Sequence, residues 1–361
     1  FTVSDPDGAS IAGNTMLIID ASATSGDITA PTATIASAMV GTVNGDVSFT
    51  VSFSEAVNAL DATSFTASHG TIASVTETGG VYTVVVTPES GYEGQVQLTL
   101  PAGAASDLAG NPINSLASAS QSVDTLSPTV SIADNTPGTA AGSVTYTLTD
   151  SEAVIGLAAD DIVVTHGTVA SVSGGGKTWN VVVNPEAGFE GTMGFSVNEG
   201  AVTDALSNAS AAAFAEGQAI DTNAPTVTTF APADGATAVG TGSDIVVSFS
   251  EAVKLGTGTI AIHAGSTTGA VLESFDVATS ARVTLSGTTL TVNPASTLAD
   301  GAQYFVTFSA GVVTDMAGNA FAGTDTYDFT TAAAQPLNLS GTVGADVLIG
   351  GSASDTLKGL G

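Results

Sequence analysis

Asp124-Thr-Leu-Ser-Pro128 repeats a phrase that stands 97 positions earlier as Asp27-Ile-Thr-Ala-Pro31 and 97 positions later as Asp221-Thr-Asn-Ala-Pro225, each time with Thr after the proline. A period of that length, rich in turn residues and without helical apolar spacing, describes an array of one module rather than a single large fold. Outward from the joint, Asp46 to Ser54 alternates without a break, with Val47, Phe49, Val51 and Phe53 on one face and Ser48, Thr50 and Ser52 on the other. That is a half-buried antiparallel strand. Tyr82, Val84 and Val86, then Val96, Leu98 and Leu100, continue the pattern. One period later it returns as Val144, Tyr146 and Leu148, then Trp179, Val181 and Val183, then Met193, Phe195 and Val197. Trp179 takes the place of Tyr82 and is read as core.

Seven strands per module, divided by turns near Asn44-Gly45, Glu55-Ala56, His69-Gly70, Gly79-Gly80, Gly91-Tyr92 and Asp107 to Asn111, predict an all-β chain of tandem Ig-like antiparallel sandwiches in a linear array. The expected modules are 27–123, 124–220 and 221–335. The third diverges, because Glu251 to Asp315 spans 64 positions where Glu55 to Asp107 spans 52, an insertion placed near Gly265 to Ala281. Residues 1–26 read as the last strands of a preceding module, or alternatively as a donor segment that completes a neighbour's sheet. Residues 336–361 read as the start of a parallel β-roll. Asp346 and Asp355 stand nine apart, as do Leu348 and Leu357, and Gly350 and Gly359, which is a nonapeptide calcium-binding pattern with Asp as ligand.

Composition narrows the function. Against 34 Asp and Glu there are 4 Lys and Arg, a formal charge of −30 that repels nucleic acid and anionic membranes and attracts cations. Cysteine is absent, so a staple, if one is needed, is a metal. No apolar run is long enough for a membrane helix. His69, His166 and His263 recur 97 apart and are expected in the same turn of each module, too far apart for a triad or zinc site. Neither a cysteine nucleophile nor a phosphate loop occurs, the glycines at 174–176 being a hairpin turn, and no active site is found.

If the strands alternate up and down, the leading linker and the second and sixth turns share one pole. Asp27, Glu55 and Asp107 then meet at the first joint, Asp124, Glu152 and Asp204 at the second, and Asp221, Glu251 and Asp315 at the third. Two carboxylates about 4 Å apart repel by about 4 kcal/mol at a surface dielectric near 20, so three of them call for a cation. Hard oxygen donors on loops suit calcium. Each Asp could instead serve only an Asx-turn. Asp150 replaces Phe53 at an inward position, where an unpaired carboxylate is costly. It is expected either to join the second joint's ions or to lie beyond the strand's end.

The Asp-x-x-Ala/Ser-Pro-Thr joint, the Phe-Ser-Glu-Ala-Val strand end at 53–57 (Phe249 to Val253 in the third module) and the Asp-x-Ala-Gly-Asn loop at 107–111 resemble the bacterial Ig-like repeats of large secreted adhesins and surface-layer proteins over 27–333. The tail from Gly341 resembles the opening of an RTX block. This resemblance implies an extracellular protein at the bacterial cell surface, exported by a type I system, folding on meeting calcium, and serving as a non-catalytic rod-like spacer whose ligand-binding domain lies elsewhere. Two alternatives are a surface-layer or filament subunit that assembles with copies of itself, and the spacer of a secreted RTX hydrolase.

Overall fold

A computed structural model describes residues 26–341, 347, 349–351 and 353–358. The reading made of residues 1–26, but for Gly26, and those of Asp346, Leu348 and Gly359 fall outside them. Contacts divide the chain into two compact units, Phe1–Pro128 with Val202–Ser210, and Thr129–Ala201 with Ala211–Gly361.

In the first unit, seven strands follow from the alternation: β1 (Ala33–Ser37), β2 (Val47–Phe53), β3 (Thr66–Ser68), β4 (Gly70–Thr78), β5 (Val81–Pro88), β6 (Glu93–Leu100) and β7 (Ala117–Asp124). They form two antiparallel sheets, β1-β2-β5-β4 and β3-β6-β7. That is the arrangement of a seven-stranded Ig sandwich. The register pairs Val47 with Val86, Phe49 with Val84 and Val51 with Tyr82, so the inward positions of both strands land on one face. All of these but Tyr82 are fully buried, together with Val96, Leu98 and Leu100. Each such side chain contributes about 1.5–3 kcal/mol of burial. Gly79 and Gly80 have φ of +61° and +84°, which the tight β4–β5 turn reserves for glycine.

The second unit opens with β8 (Val130–Asp134), β9 (Val144–Val154), β10 (Ile162–Thr165), β11 (Gly167–Pro185), β12 (Glu190–Val197), β13 (Ala213–Phe214) and β14 (Gln218–Asp221). One sheet is β11-β9-β8, and the other pairs β12 with β10, β13 and β14. The bend expected at Gly174–Gly176 lies inside β11, where all three glycines have positive φ. Strand β9 outruns its counterpart β2. It continues through Asp150, which pairs with Val130, to Val154, which pairs with Gly176. The expectation that the strand stops before Asp150 is therefore corrected. Ladder bonding on one side and Lys177 Nζ donating to Ser151 O at 2.9 Å on the other hold the extension in place.

The third module consists of β15 (Val227–Ala231), β16 (Ala236–Val239), β17 (Ile245–Phe249), β18 (Val253–Leu255), β19 (Thr259–Ala264), β20 (Val271–Asp276), β21 (Val283–Ser286), β22 (Thr289–Val292), β23 (Gln303–Phe308), β24 (Val313–Asp315) and β25 (Thr324–Thr331). Sheets β15-β17-β22-β21 and β16-β25-β23-β19-β20 enclose a core that includes Phe249, Tyr327 and Phe329. The inserted residues form the β19–β20 hairpin on the sheet edge. Consequently His263 does not share the turn of His69 and His166. Those two occupy left-handed backbone, φ +52° and +57°, while His263 lies within β19 opposite Phe305, with Nε2 3.1 Å from Thr307 Oγ1. At the end of the chain β26 (Asn338–Ser340) pairs in parallel with β27 (Thr356–Lys358), Leu339 opposite Leu357, two nonapeptides later.

Candidate metal centre

The first and third acidic joints are built from the same local parts. After the proline, Thr32 donates its N–H to Ser54 Oγ at 3.0 Å and accepts from Ser54 N at 3.0 Å. Thr226 and Ser250 repeat this pair at 3.1 and 2.8 Å. The linker is thereby fastened to the residue just before the turn's glutamate. Two residues beyond that glutamate, Val57 bridges Asp107, and in the third module the bridge grows into the ladder β18–β24 with Val253 opposite Asp315. Linker, second turn and sixth turn thus converge, as the alternation of strands requires.

One carboxylate oxygen each from Asp27, Glu55 and Asp107 lies within 4.8 Å of the others, and so do those of Asp221, Glu251 and Asp315. Asp107 and Asp315 are buried, Glu55, Asp221 and Glu251 half-buried, and Asp27 exposed. An open cavity of about 420 Å³ lies over the first group, bordered also by Ala56, Leu108 and Ala109. Of the middle module's acids, Asp124 and buried Asp204 lie in the first unit, while Glu152 lies in the second, on β9.

The linker aspartates make the Asx-turns expected of them as the alternative to ion binding. Asp27 Oδ1 accepts from Thr29 N at 2.9 Å, Asp124 Oδ1 from Leu126 N at 3.0 Å and Asp221 Oδ1 from Asn223 N at 3.0 Å, all Asx-turns. In the sixth turn the aspartate is locked from both sides: Asp107 Oδ1 accepts from Asn111 N at 2.8 Å and Oδ2 from Asn111 Nδ2 at 2.7 Å. Those bonds, the side-chain amide's first, hold the Asp107 carboxyl below its ordinary range against its burial. For Asp204, burial pushes upward, and the Asn208 bonds together with backbone N–H groups outweigh it. Glu55 is displaced the other way, raised by burial and then by Asp27 and Asp107. Glu251 is raised by burial and then by Asp315, Asp221 and Glu190. After burial, part of the rise at Glu55 and Glu251 is repulsion from the neighbouring carboxylates. A hard divalent cation would relieve it, and the oxygen-only donor set fits calcium's preference for carboxylate and carbonyl ligands.

Asp150 does not belong to these groups. It is 3 % exposed, neither carboxylate oxygen has a hydrogen-bond partner, and burial raises its carboxyl, with the nearby Trp179 indole opposing the rise. Its inward strand position turns the side chain into the sandwich rather than toward the turns. Asp355 Oδ1 accepts from Leu337 N at 2.7 Å, and Asp355 belongs to none of the groups of three or more acids among the described residues. Sequence reasoning passed over Lys177 and Lys254, whose ammonium groups reach carbonyls of joint loops, Ser151 O and Met316 O. It also passed over the asparagines that close the sixth turns.

Two stacked sheets repeated in tandem, with irregular loops at the poles, define an all-β array of Ig-like sandwiches. Bacterial Ig-like domains match residues 27–123 and 124–219, and a second kind of bacterial Ig-like domain matches 221–331. The chain belongs to the bacterial Ig-like domain family. No curated protein matches it. Among solved structures it is similar to InvD of Yersinia pseudotuberculosis, at 15% identity over 84% of this chain and 98% of that one, TM-score 0.27. It is also similar to a tetra-tandem repeat from the extending region of a large adhesion protein, at 15% identity over 83% and 74%, TM-score 0.28. A third is the S-layer protein rSbsC(31-844), at 11% identity over 84% and 55%, TM-score 0.19. No described helix is long and apolar enough to cross a membrane.

Proposed function

We propose that this chain is a non-catalytic spacer of an extracellular bacterial surface protein, stiffened by calcium at its module joints and leading into an RTX-type roll. The observation that carries the reading is the convergence of linker, second-turn and sixth-turn carboxylates on one pole of a sandwich at Asp27, Glu55 and Asp107, and again at Asp221, Glu251 and Asp315. A cation bridging a linker and two loops would convert mutual repulsion into restraint. Asp124 and Asp204, which carry the same linker and sixth-turn motifs within the first unit, are assigned the same role as ligands. Support for the roll is the parallel pairing of Leu339 with Leu357 two nonapeptides apart, and Asp355 with Asp346 would be its ligands.

Thermal unfolding in calcium and in chelator tests the proposal. Ions present at about 100 times their Kd add about 2.7 kcal/mol per independent site, so melting should rise by several degrees in calcium. Equal melting curves for chelator-stripped and calcium-loaded protein would refute it.

A further inference from the structure

Asn111, Asn208 and Asn319 each spend both hydrogens of one side-chain amide on two different partners. Asn111 Nδ2 donates to Asp107 Oδ2 and to the backbone carbonyl of Asp27, both at 2.7 Å. Asn208 Nδ2 donates to Asp204 Oδ2 at 2.7 Å and to the Asp124 carbonyl at 3.0 Å. Asn319 Nδ2 donates to Asp315 Oδ2 and to the Asp221 carbonyl, both at 2.7 Å. An amide nitrogen has two hydrogens, so its donor capacity is filled three times over in the same way. Meanwhile the asparagine's own backbone N–H holds Oδ1 of its aspartate at 2.7–2.8 Å, which fixes the side chain's approach.

The carbonyl seized in this way belongs to a peptide already fastened on its other side. Thr222 N donates to Phe189 O at 2.9 Å, and Thr222 Oγ1 donates to Glu186 O while accepting from Phe189 N, both at 2.9 Å. Thr125 makes the equivalent bonds to Tyr92 and Glu89. The Asp221–Thr222 peptide is therefore gripped by the second module through its N–H and by the third through its C=O. Partners 84, 84 and 98 positions away in sequence are joined by a side chain that no turn requires for that purpose.

We propose that Asn111, Asn208 and Asn319 are positioning residues, a latch that fixes the leading linker peptide against the sixth turn without any ion, so that the carboxylates are assembled before a cation arrives. Aspartate of the same shape has no donors and adds a charge; alanine leaves the carbonyl open. The latch stands without the calcium reading, since no ion enters it. Where calcium does bind, preassembly lowers the ordering cost of binding, so the asparagine governs affinity although it contributes no ligand.

The test uses the full chain, isotope-labelled, in chelator. Expected are a scalar coupling across the hydrogen bond from Asn319 Nδ2 to the Asp221 carbonyl carbon, and exchange of the Thr222 and Asn223 amides that Asn319→Ala and Asn319→Asp each accelerate by about tenfold, the value of one sheltered hydrogen bond. Glu251→Gln, which removes an acid and spares the latch, should leave coupling and exchange as in the native chain. Absence of the coupling in native protein, a measurement that needs no variant, would overturn the proposal, as would exchange indifferent to both Asn319 substitutions. Failure of the native chain to bind calcium while the coupling persists would sink the spacer's metal chemistry and leave the latch intact.

Discussion

The first two modules share one register, yet they finish their second strand differently, and the cause is one inward residue. In the first, β2 stops at Phe53, whose ring meets Tyr82 edge-on at 5.9 Å. In the second, Asp150 stands there, Trp179 replaces Tyr82, and β9 runs on to Val154 with Lys177 bracing Ser151. An aromatic pair, which contributes about 0.5–1.5 kcal/mol beyond burial, has become a buried carboxyl and an indole N–H, neither with a hydrogen-bond partner. The lesson is that a repeated fold tolerates a poor core residue when the flanking backbone is tied down by other means.

Restoring the aromatic is the strongest way to sharpen that comparison. Asp150→Phe should raise unfolding stability by about 3 kcal/mol, the cost of a buried unsatisfied polar group plus the regained contact, read as a higher denaturant midpoint with unchanged slope. A lower midpoint would mean that Asp150 has a role in the native state. The same position sets a pH dependence. Because burial raises the Asp150 carboxyl above its ordinary value of 3.8, the folded form holds its proton more tightly than the unfolded one. Its contribution is complete below that value and lost as pH rises through the folded-state value. Chelated protein should thus lose stability with rising pH above 3.8, less steeply in Asp150→Phe. Glu55 and Glu251, raised from 4.5, act with the same sign.

Next in size is the latch. Asn111→Ala and Asn319→Ala should each cost about 1–2 kcal/mol by leaving a buried aspartate oxygen and a linker carbonyl short of a donor. Chemical denaturation in chelator checks this, and a cost below the error of the measurement would count against it. Smallest is the brace. Lys177→Met should cost about 0.5–1 kcal/mol and shorten β9, seen as faster amide exchange between Ser151 and Val154. The first module, with no lysine or arginine between 27 and 123, offers no counterpart.

Much of the fold was legible because alternation of apolar residues is a local signal. Val47, Phe49 and Val51 declare their strand within seven residues, and the 97-residue period carried the assignment forward. The gathering of Asp27 with Glu55 and Asp107 was legible too, since strand direction fixes which turns share a pole. The asparagine latch was not. Its residues read as ordinary turn chemistry, and the only trace of their reach is the matching intervals, Asp27 to Asn111 and Asp124 to Asn208, that only a paired partner makes meaningful. Asp150 misled for the opposite reason: cost alone suggested an exit from the core, whereas the ladder with Val130 and the Lys177 brace keep it inside.

Calorimetric titration of calcium into chelator-stripped protein, native and with Glu55→Gln and Glu251→Gln, addresses the joints most directly. The expected result is saturable binding in the native chain, with each substitution removing or weakening at least tenfold the site at its own joint and leaving the other as it was. Absence of binding, or titrations unaffected by both substitutions, would contradict the assignment of these carboxylates as ion ligands.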